Sequence, residues 1–439
     1  MLASKLEQCY TLAVITDYLS MLRLFSRELR LFLIGSALVA LAWDGMRAVI
    51  LNLYLLRLGY GPAFVGLLSA VGAFAFALFC LVAGTMGTRW GSRTMLVTGL
   101  GLMAAGFCLL PMAESLAFGL RAGWLLGTTI LTYLGLALYL VNGLPFMMGA
   151  TSIRERNHAF SFHSALLPLA AFGGSLLAGV VPGILASLFD LPLTEPAPYR
   201  YTLWLAALLL LPAVPVLVTA RSAGRLKVQT PTLESNETGS ARAPLGLILI
   251  VVLFMALRFG GRGPIVNFFN VYLDDGLGVS TALIGLLSAS ALLISVPGAL
   301  LAPLIVARWG NSRTIVWGMV GMALCMLPLI LSPHWPVAGL AYVGSSAMFS
   351  LTVGPLRLFS QELVAPRWQA TMASAFMLGS GLAFATLSLA GGYIIVSLGY
   401  RTLFLTATAM VAAATILFWF YFRIPRGEMA HPVLPQSGE

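Results

Sequence analysis

The chain has 439 residues, of which 59% are hydrophobic and 9% are charged, and its mean hydropathy is +0.94. A soluble protein of this length could not bury so much apolar surface, so the composition excludes a soluble fold and favours a protein solvated by a bilayer. The formal net charge of +10 would suit a nucleic-acid-binding protein, but the positions of the basic residues favour membrane topology instead.

In chain order, twelve apolar stretches are long enough to cross a bilayer as helices. They are predicted at 30–56, 62–87, 93–113, 121–149, 158–187, 200–220, 244–273, 281–307, 313–332, 337–363, 369–398 and 401–423. The predicted segments are an N-terminal segment at 1–29, a six-helix bundle at 30–220, a polar cytoplasmic linker at 221–243, a second six-helix bundle at 244–423 and a tail at 424–439. The first segment is either an interfacial amphipathic helix or sequence upstream of a true start at Met21.

Two motifs recur at a constant spacing and indicate that the chain is internally duplicated. The sequence G-L-L-S-A at 66–70 returns at 285–289, and R-W-G-S-R-T at 89–94 returns as R-W-G-N-S-R-T at 308–314, both 219 residues later. Duplicated halves that enclose a cavity are typical of transporters. The predicted fold class is therefore an all-α membrane protein with twelve transmembrane helices in two pseudo-symmetric six-helix bundles.

The basic residues lie mostly on one side of the predicted topology. If the N-terminus is cytoplasmic, seventeen lysines and arginines fall in the cytoplasmic loops and tails, against four on the opposite side. This bias predicts an inner-membrane protein with both termini in the cytoplasm. The four cysteines and four histidines do not cluster at metal-ligand spacing, so we expect no metal, no cofactor and no enzymatic activity.

The loop after the second span reads G-T-M-G-T-R-W-G-S-R from Gly84 to Arg93. It resembles the signature of the major facilitator superfamily, G-x-x-x-D-R-x-G-R-R, with Thr88 at the acidic position, and the second copy has Ala307 there. The resemblance implies two six-helix bundles that work by alternating access, but not the acidic latch of the family. The remaining basic residues of the two copies are expected at the gate, in contact with helix ends or lipid phosphates: Arg89, Arg93, Arg308 and Arg313.

Deep ionisable residues are few, and two of them are repeat equivalents. Asp44 in the first span and Arg262 in the seventh lie 218 residues apart. We hypothesise that they form a pair between the bundles, and that protonation of Asp44 releases the arginine. The alternative is a local pair between Asp44 and Arg47, which lie three residues apart on one helix face.

Arg258 and Arg262 lie on one face of the seventh span, beside G-G-R-G-P at 260–264. Glycines and a proline predict a broken or kinked helix here, and two guanidinium groups suit a carboxylate or phosphate ligand. The alternative is that Asp44 engages Arg262 and helix carbonyls engage Arg258. Arg47 is a further candidate for substrate binding.

Uncharged polar residues complete the predicted site. Ligand candidates are Asn142 and Asn267, with Tyr133 and Tyr139 more often explained by packing. Candidates for the gate are Asn52, Asn270, Arg357 and Glu362.

The predicted function is secondary active transport of a small organic solute by alternating access, coupled to protons, with a preference for efflux of amphipathic compounds. A carrier of small organic anions that uses Arg258 and Arg262 is the first alternative, and a lipid-moving protein with the same fold is the second. The expected partners are the substrate, protons and membrane lipids, without nucleic acid, and the expected state is a monomer.

Overall fold

The computed structural model describes residues 25–219, 245–365 and 368–424, without the side chains of residues 153, 154, 157 and 370. Three predicted segments therefore lie wholly or mostly outside the described residues: the N-terminal segment 1–29, the linker 221–243 and the tail 424–439.

Long apolar helices account for nearly all of the described chain. They are α1 Arg27–Arg57, α2 Pro62–Trp90, α3 Ser92–Ser115, α4 Phe118–Ala150, α5 Ile153–Phe189, α6 Ala197–Thr219, α7 Leu245–Gly276, α8 Thr281–Trp309, α9 Asn311–Leu331, α10 Trp335–Glu362, α11 369–398 and α12 400–422. Helices α11 and α12 are continuous except at Gly399, whose φ of 82° breaks the helix between them. The twelve predicted spans are confirmed, because a bilayer fixes the length of apolar helix that each crossing needs.

Twelve crossings return the chain to the side of the bilayer on which it starts. We call that side the termini side and the opposite side the far side. Helices α1–α6 form the first half and α7–α12 the second half. The duplicated R-W-G motif marks the turns between α2 and α3 and between α8 and α9, where Gly91 and Gly310 adopt φ values of 90° and 78°. Only glycine adopts this backbone conformation without a Cβ clash, which explains why the turn sequence occurs twice.

The repeat-equivalent helices α1 and α7 each contain one turn of π-helix that carries charged residues. In α1 the turn spans Leu41–Arg47, and in α7 it spans Tyr272–Gly276 at the far-side end. A π turn inserts an extra residue into a helix and is frequent at functional sites. Gly45 within the first turn packs against the backbone of Gly174 in α5, where a Cβ would lie 2.6 Å from the Gly174 Cα.

The two halves pack closely through small residues. Gly285 of α8 faces Gly179 of α5 so tightly that a Cβ on Gly285 would lie 2.5 Å from the Gly179 Cα. Gly66 of α2 meets the carbonyl oxygen of Ser388 in α11 in the same way. Small residues let membrane helices approach to backbone contact, which gains van der Waals energy that lipid cannot supply. Both contacts lie in the far-side part of the molecule.

Candidate functional site

On the far side, helices α1 and α7 are joined by two reciprocal hydrogen bonds. Asn52 Nδ2 donates to the backbone oxygen of Asn267 at 2.8 Å, and Asn270 Nδ2 donates to the backbone oxygen of Ala48 at 3.1 Å. Asn52 and Asn270 are repeat equivalents, so each half contributes the same type of bond to the other. The structure thus places both predicted gate asparagines at the contact between the halves.

Closer to the far surface, an ion pair joins the same two helices. Arg57 at the end of α1 donates from Nη1 and Nη2 to the two carboxylate oxygens of Asp274, each at 2.7 Å, and from Nε to the backbone oxygen of Leu193 at 3.1 Å. A second contact, between Tyr199 and Thr281, joins α6 to α8 at 3.0 Å. The ion pair between Arg57 and Asp274 was not predicted from the sequence. The repeat spacing gave only a partial signal, because the repeat equivalent of Arg57 is Asp275, the neighbour of Asp274.

On the termini side, the predicted gate charges do not join the two halves. Five of them are exposed: Arg89, Arg308, Arg313, Arg357 and Glu362. Arg93 donates to the backbone oxygen of Val218, within its own half. The hydrogen bonds and the ion pair described above, which join the two halves, lie in the far-side part. Hydrogen bonds and an ion pair therefore join the halves on the far side, and we call the region between α1 and α7 on the termini side of these bonds the crevice.

The α1 wall of the crevice carries Asp44 and Arg47. Asp44 is exposed and lies four and eight residues before Ala48 and Asn52, the α1 residues that contact α7. The Arg47 guanidinium stacks on Trp43 at 4.1 Å from the ring centroid and lies 5.4 Å from that of Tyr133. The Nε of Arg47 is buried without a hydrogen-bond partner. We call Arg47, Trp43 and Tyr133 the first arginine cage.

The second half presents a comparable arrangement around Arg262. Its guanidinium donates to the hydroxyls of Ser345 at 3.3 Å and Ser346 at 2.9 Å, and lies 5.6 Å from the ring centroid of Tyr342 and 5.2 Å from that of Phe349. These four α10 residues and Arg262 form the second arginine cage. Arg262, Tyr342, Ser346 and Phe349 line a cavity of about 480 Å³ between α7, α8 and α10.

Arg258 is not part of the crevice surface. Its side chain is 1% exposed, donates to the Thr352 hydroxyl at 2.7 Å and lies 4.3 Å from the Phe349 ring centroid. The predicted role of Arg258 as a direct ligand is therefore not supported in this conformation. The alternative prediction, in which helix carbonyls engage Arg258, is closer to the structure, because Arg258 also approaches the backbone oxygen of Phe349 at 3.4 Å.

Of the broken or kinked helix predicted at 260–264, the break is wrong. The helix runs without interruption through this segment. Gly260 and Gly261 instead give α12 room to pack, because a Cβ on Gly261 would lie 2.6 Å from the backbone oxygen of Ala407. The glycines serve helix packing.

The hypothesised pair between Asp44 and Arg262 is not formed. Within the described residues the two ion pairs are Arg57–Asp274 and Arg200–Glu114. Arg262 is held by serine hydroxyls, and the charge that acts on Asp44 is that of Arg47. The local alternative from the sequence is thus nearer to the structure, although the Asp44–Arg47 distance exceeds that of an ion pair. In the described part of the chain, Arg47, Arg258 and Arg262 all lack a carboxylate within 4.0 Å.

The uncharged candidates divide between packing and gate positions. Tyr139 is buried and hydrogen-bonded to Ser36 at 2.8 Å, and Asn142 is buried and donates to the backbone oxygens of Ala83 and Leu138 at 3.2 and 2.9 Å. Both lie inside the first half, away from the crevice. Asn267 lies at the far-side contact, where it donates to the Ser388 hydroxyl. Tyr133 alone among the four contacts a candidate arginine, in the first arginine cage.

These features define a multi-pass membrane carrier with two six-helix halves around a crevice. The sequence profile of the Major Facilitator Superfamily matches residues 32–386, and the chain belongs to this family. It is accordingly a membrane transporter and not an enzyme, as the sequence predicted.

Solved transporter structures share this fold. A variant of the nucleoside transporter NupG superposes with a TM-score of 0.73 at 14% identity, covering 90% of this chain and 100% of that chain. The inward-open xylose transporter XylE from E. coli gives 0.69 at 16% identity, covering 90% and 95%. An inward-facing, occupied bacterial homologue of the lysosomal transporter Spinster gives 0.67 at 16% identity, covering 90% and 96%. A comparison with curated proteins gave no match.

Proposed function

We propose that the protein is a proton-coupled secondary transporter of a small amphipathic organic anion, which binds between the two arginine cages. The observation that carries this proposal is that Arg47 and Arg262, each flanked by aromatic rings, have no carboxylate within ion-pair distance in the described residues. The proposal takes up the anion alternative from the sequence analysis, with Arg47 in place of Arg258 as the second cation.

The energetic argument rests on uncompensated charge. A guanidinium group at the bilayer centre costs roughly 3 kcal/mol even on the most lenient insertion scale. The hydroxyls of Ser345 and Ser346 satisfy Arg262 as hydrogen-bond acceptors but do not neutralise it. A carboxylate or phosphate neutralises the charge and accepts two parallel hydrogen bonds. Its interaction with Arg262 is therefore more favourable than that of the serine hydroxyls that it displaces.

The walls of the cages select the rest of the ligand. Aromatic rings flank both arginines, at Trp43 and Tyr133 in one half and at Tyr342 and Phe349 in the other. Such rings offer apolar area to a hydrophobic body while the arginine holds the anionic group. An amphipathic anion therefore matches the positive charge of the two arginines. It also matches the low polarity of the membrane spans, which led to the prediction of amphipathic substrates.

The orientation of the open crevice follows from the basic residues. The excess of lysine and arginine on the termini side favours a cytoplasmic location for that side. The described conformation then corresponds to an inward-facing state, in which the substrate site communicates with the cytoplasm.

Asp44 is the proposed proton carrier. It is exposed in the crevice, and its charge opposes that of Arg47. Protonation of Asp44 would leave the field of Arg47 uncompensated and so strengthen anion binding, and by linkage a bound anion would favour protonation. Proton and anion then bind together and cross together. This coupling supports symport. We therefore propose symport instead of the efflux that was preferred from the sequence.

Uptake into proteoliposomes tests the proposal. With an inward proton gradient, a radiolabelled aromatic monocarboxylate should accumulate, whereas its neutral amide should not. Arg262→Gln should lower the apparent affinity about 10- to 100-fold, because a charge-assisted hydrogen-bonded contact contributes about 1.5–3 kcal/mol. Arg262→Lys should retain part of the affinity. Arg308→Gln, which removes an exposed charge outside the crevice, is the matched control. Equal transport of acid and amide, or an unchanged Arg262→Gln variant, would refute the proposal.

A further inference from the structure

A second cavity lies outside the crevice, on the termini side of the second half. It has a volume of about 600 Å³ and is bordered by α9, α10 and α12. Its wall contains the aromatic side chains of Phe359, Phe418 and Phe422, which are buried, and of Trp317 and Trp419, which are 61% and 47% exposed. This cavity is separate from the second arginine cage, because the α10 residues of the cage are Tyr342, Ser345, Ser346 and Phe349, at least ten residues away from Phe359.

The mouth of this cavity is cationic. Arg313, next to Ser312 in the first turn of α9, and Arg423, at the end of α12, both line it. Neither forms an ion pair within residues 25–219, 245–365 and 368–424. The first turn of α9 adds unpaired backbone N–H groups and the positive end of the helix dipole to the same region. The charge at the mouth therefore complements an anion.

The depth and exposure of the cavity indicate where this anion comes from. Arg313 and Arg423 lie at the ends of membrane-spanning helices, beside two exposed tryptophans of the kind that occupy the level of lipid headgroups. Below them the walls become apolar and mostly aromatic, which suits a hydrocarbon chain. Basic pockets between membrane helices are recognised as binding sites for anionic headgroups.

The geometry points to a binding site for one anionic phospholipid, with its phosphate at Arg313 and Arg423 and an acyl chain along Phe359, Phe418 and Phe422. This inference is independent of the proposed substrate. A soluble anion would use the two arginines but not the aromatic walls. The chain beyond Ile424, which itself borders the cavity, is the competing occupant.

Native mass spectrometry of the full chain in neutral detergent tests the site with phosphatidylglycerol, phosphatidylcholine and inorganic phosphate as probes. We expect one tightly bound phosphatidylglycerol, weaker binding of phosphatidylcholine and no displacement by inorganic phosphate. Each arginine near an anionic headgroup contributes roughly fivefold, so Arg313→Gln/Arg423→Gln should weaken binding about 25-fold. Arg308→Gln, an exposed cation on the same side that does not line the cavity, should change binding less than twofold.

A second measurement locates the acyl chain without depending on charge. Phosphatidylglycerol with brominated chains should quench part of the tryptophan fluorescence, and Trp317→Phe/Trp419→Phe should remove that part. Equal affinity for both lipids, displacement by inorganic phosphate, or quenching unchanged in the tryptophan variant would overturn the inference. Hydrogen exchange of the lipid-free protein gives a further check. If Arg313→Gln/Arg423→Gln increases amide exchange in residues 425–439, the tail occupies the cavity and the inference is overturned.

Discussion

The ion pair between Arg57 and Asp274 should hold the far side closed. It joins the two halves at the far-side ends of α1 and α7, and its geometry requires those ends to be in contact. The pair therefore contributes to the closed far side and is lost when the halves separate there. Removing it should move the population towards a conformation open to the far side.

The expected change in the equilibrium between the two conformations depends on how deeply the ion pair is buried. The Arg57 side chain is 22% exposed and that of Asp274 is 8% exposed, so the contact is intermediate between a surface and a buried pair. Truncating one partner of a buried, hydrogen-bonded pair costs about 2–5 kcal/mol, whereas an exposed pair contributes less than about 1 kcal/mol. We take about 2 kcal/mol for Arg57→Gln, which corresponds to a change of about 30-fold in the equilibrium between the two conformations.

Spin-label distances across the far side can measure this equilibrium. Ser187 in α5 and Ser397 in α11 are exposed at the far side, one in each half, and accept cysteine with little change in size. In a background without native cysteines, Arg57→Gln should raise the fraction of long distances. The exchanged pair Arg57→Asp/Asp274→Arg should restore the short ones.

The controls for this experiment separate the pair from charge in general. Arg401→Gln removes an exposed far-side arginine that forms no ion pair among the described residues, and it should leave the distances unchanged. Arg57→Lys keeps the charge but loses the two parallel hydrogen bonds, so its shift should be smaller than that of Arg57→Gln. If Arg57→Gln gives the wild-type distribution, the pair does not stabilise the closed far side and the reasoning fails.

Three further predictions concern the same closure and its coupling. Gly285→Ala should open the far side or lower the melting temperature, because its Cβ would overlap the α5 backbone; Gly183→Ala, which meets no atom within 4 Å, should do neither. Asn52→Ala and Asn270→Ala each remove one bond between the halves, so each should shift the spin-label populations about fivefold, for about 1 kcal/mol per hydrogen bond; two wild-type distributions would contradict this. Asp44→Asn should abolish the pH dependence of anion uptake while binding persists, and an intact pH profile would exclude Asp44 as the proton carrier.

The sequence was sufficient for the fold because the bilayer restricts it so strongly. Each crossing needs about 20 apolar residues, so the spans could be predicted to within a few residues of their observed ends. The repeat identified Asn52 and Asn270 as equivalents, and the structure joins both to the opposite half. The depth of a residue along its helix can therefore be predicted from sequence spacing in this chain.

The direction in which each side chain points around its helix axis could not be predicted in the same way. Asp44 and Arg262 occupy equivalent depths, yet Arg262 turns to the serines of α10. Tyr139 and Asn142 lie at a suitable depth for a ligand but point into the packed interior of the first half. Arg57 and Asp274 were overlooked because charges at helix ends usually belong to solvated loops, and only packing of the halves makes them a pair.

The two arginine cages explain why an anion would be needed for the crevice to close on the termini side. Closure there brings the cationic walls of both halves together, and two unit charges about 10 Å apart at an effective dielectric constant near 20 repel by roughly 1.7 kcal/mol. Asp44 offsets part of this repulsion, but it lies three residues from Arg47 on the same helix and leaves Arg262 unneutralised. An anion held between the cages converts that repulsion into attraction on both walls. If the proposed anion binds there, far-side contacts stabilise the empty conformation while neutralisation of the cages favours closure with the anion bound, so the charge arrangement disfavours closure without it.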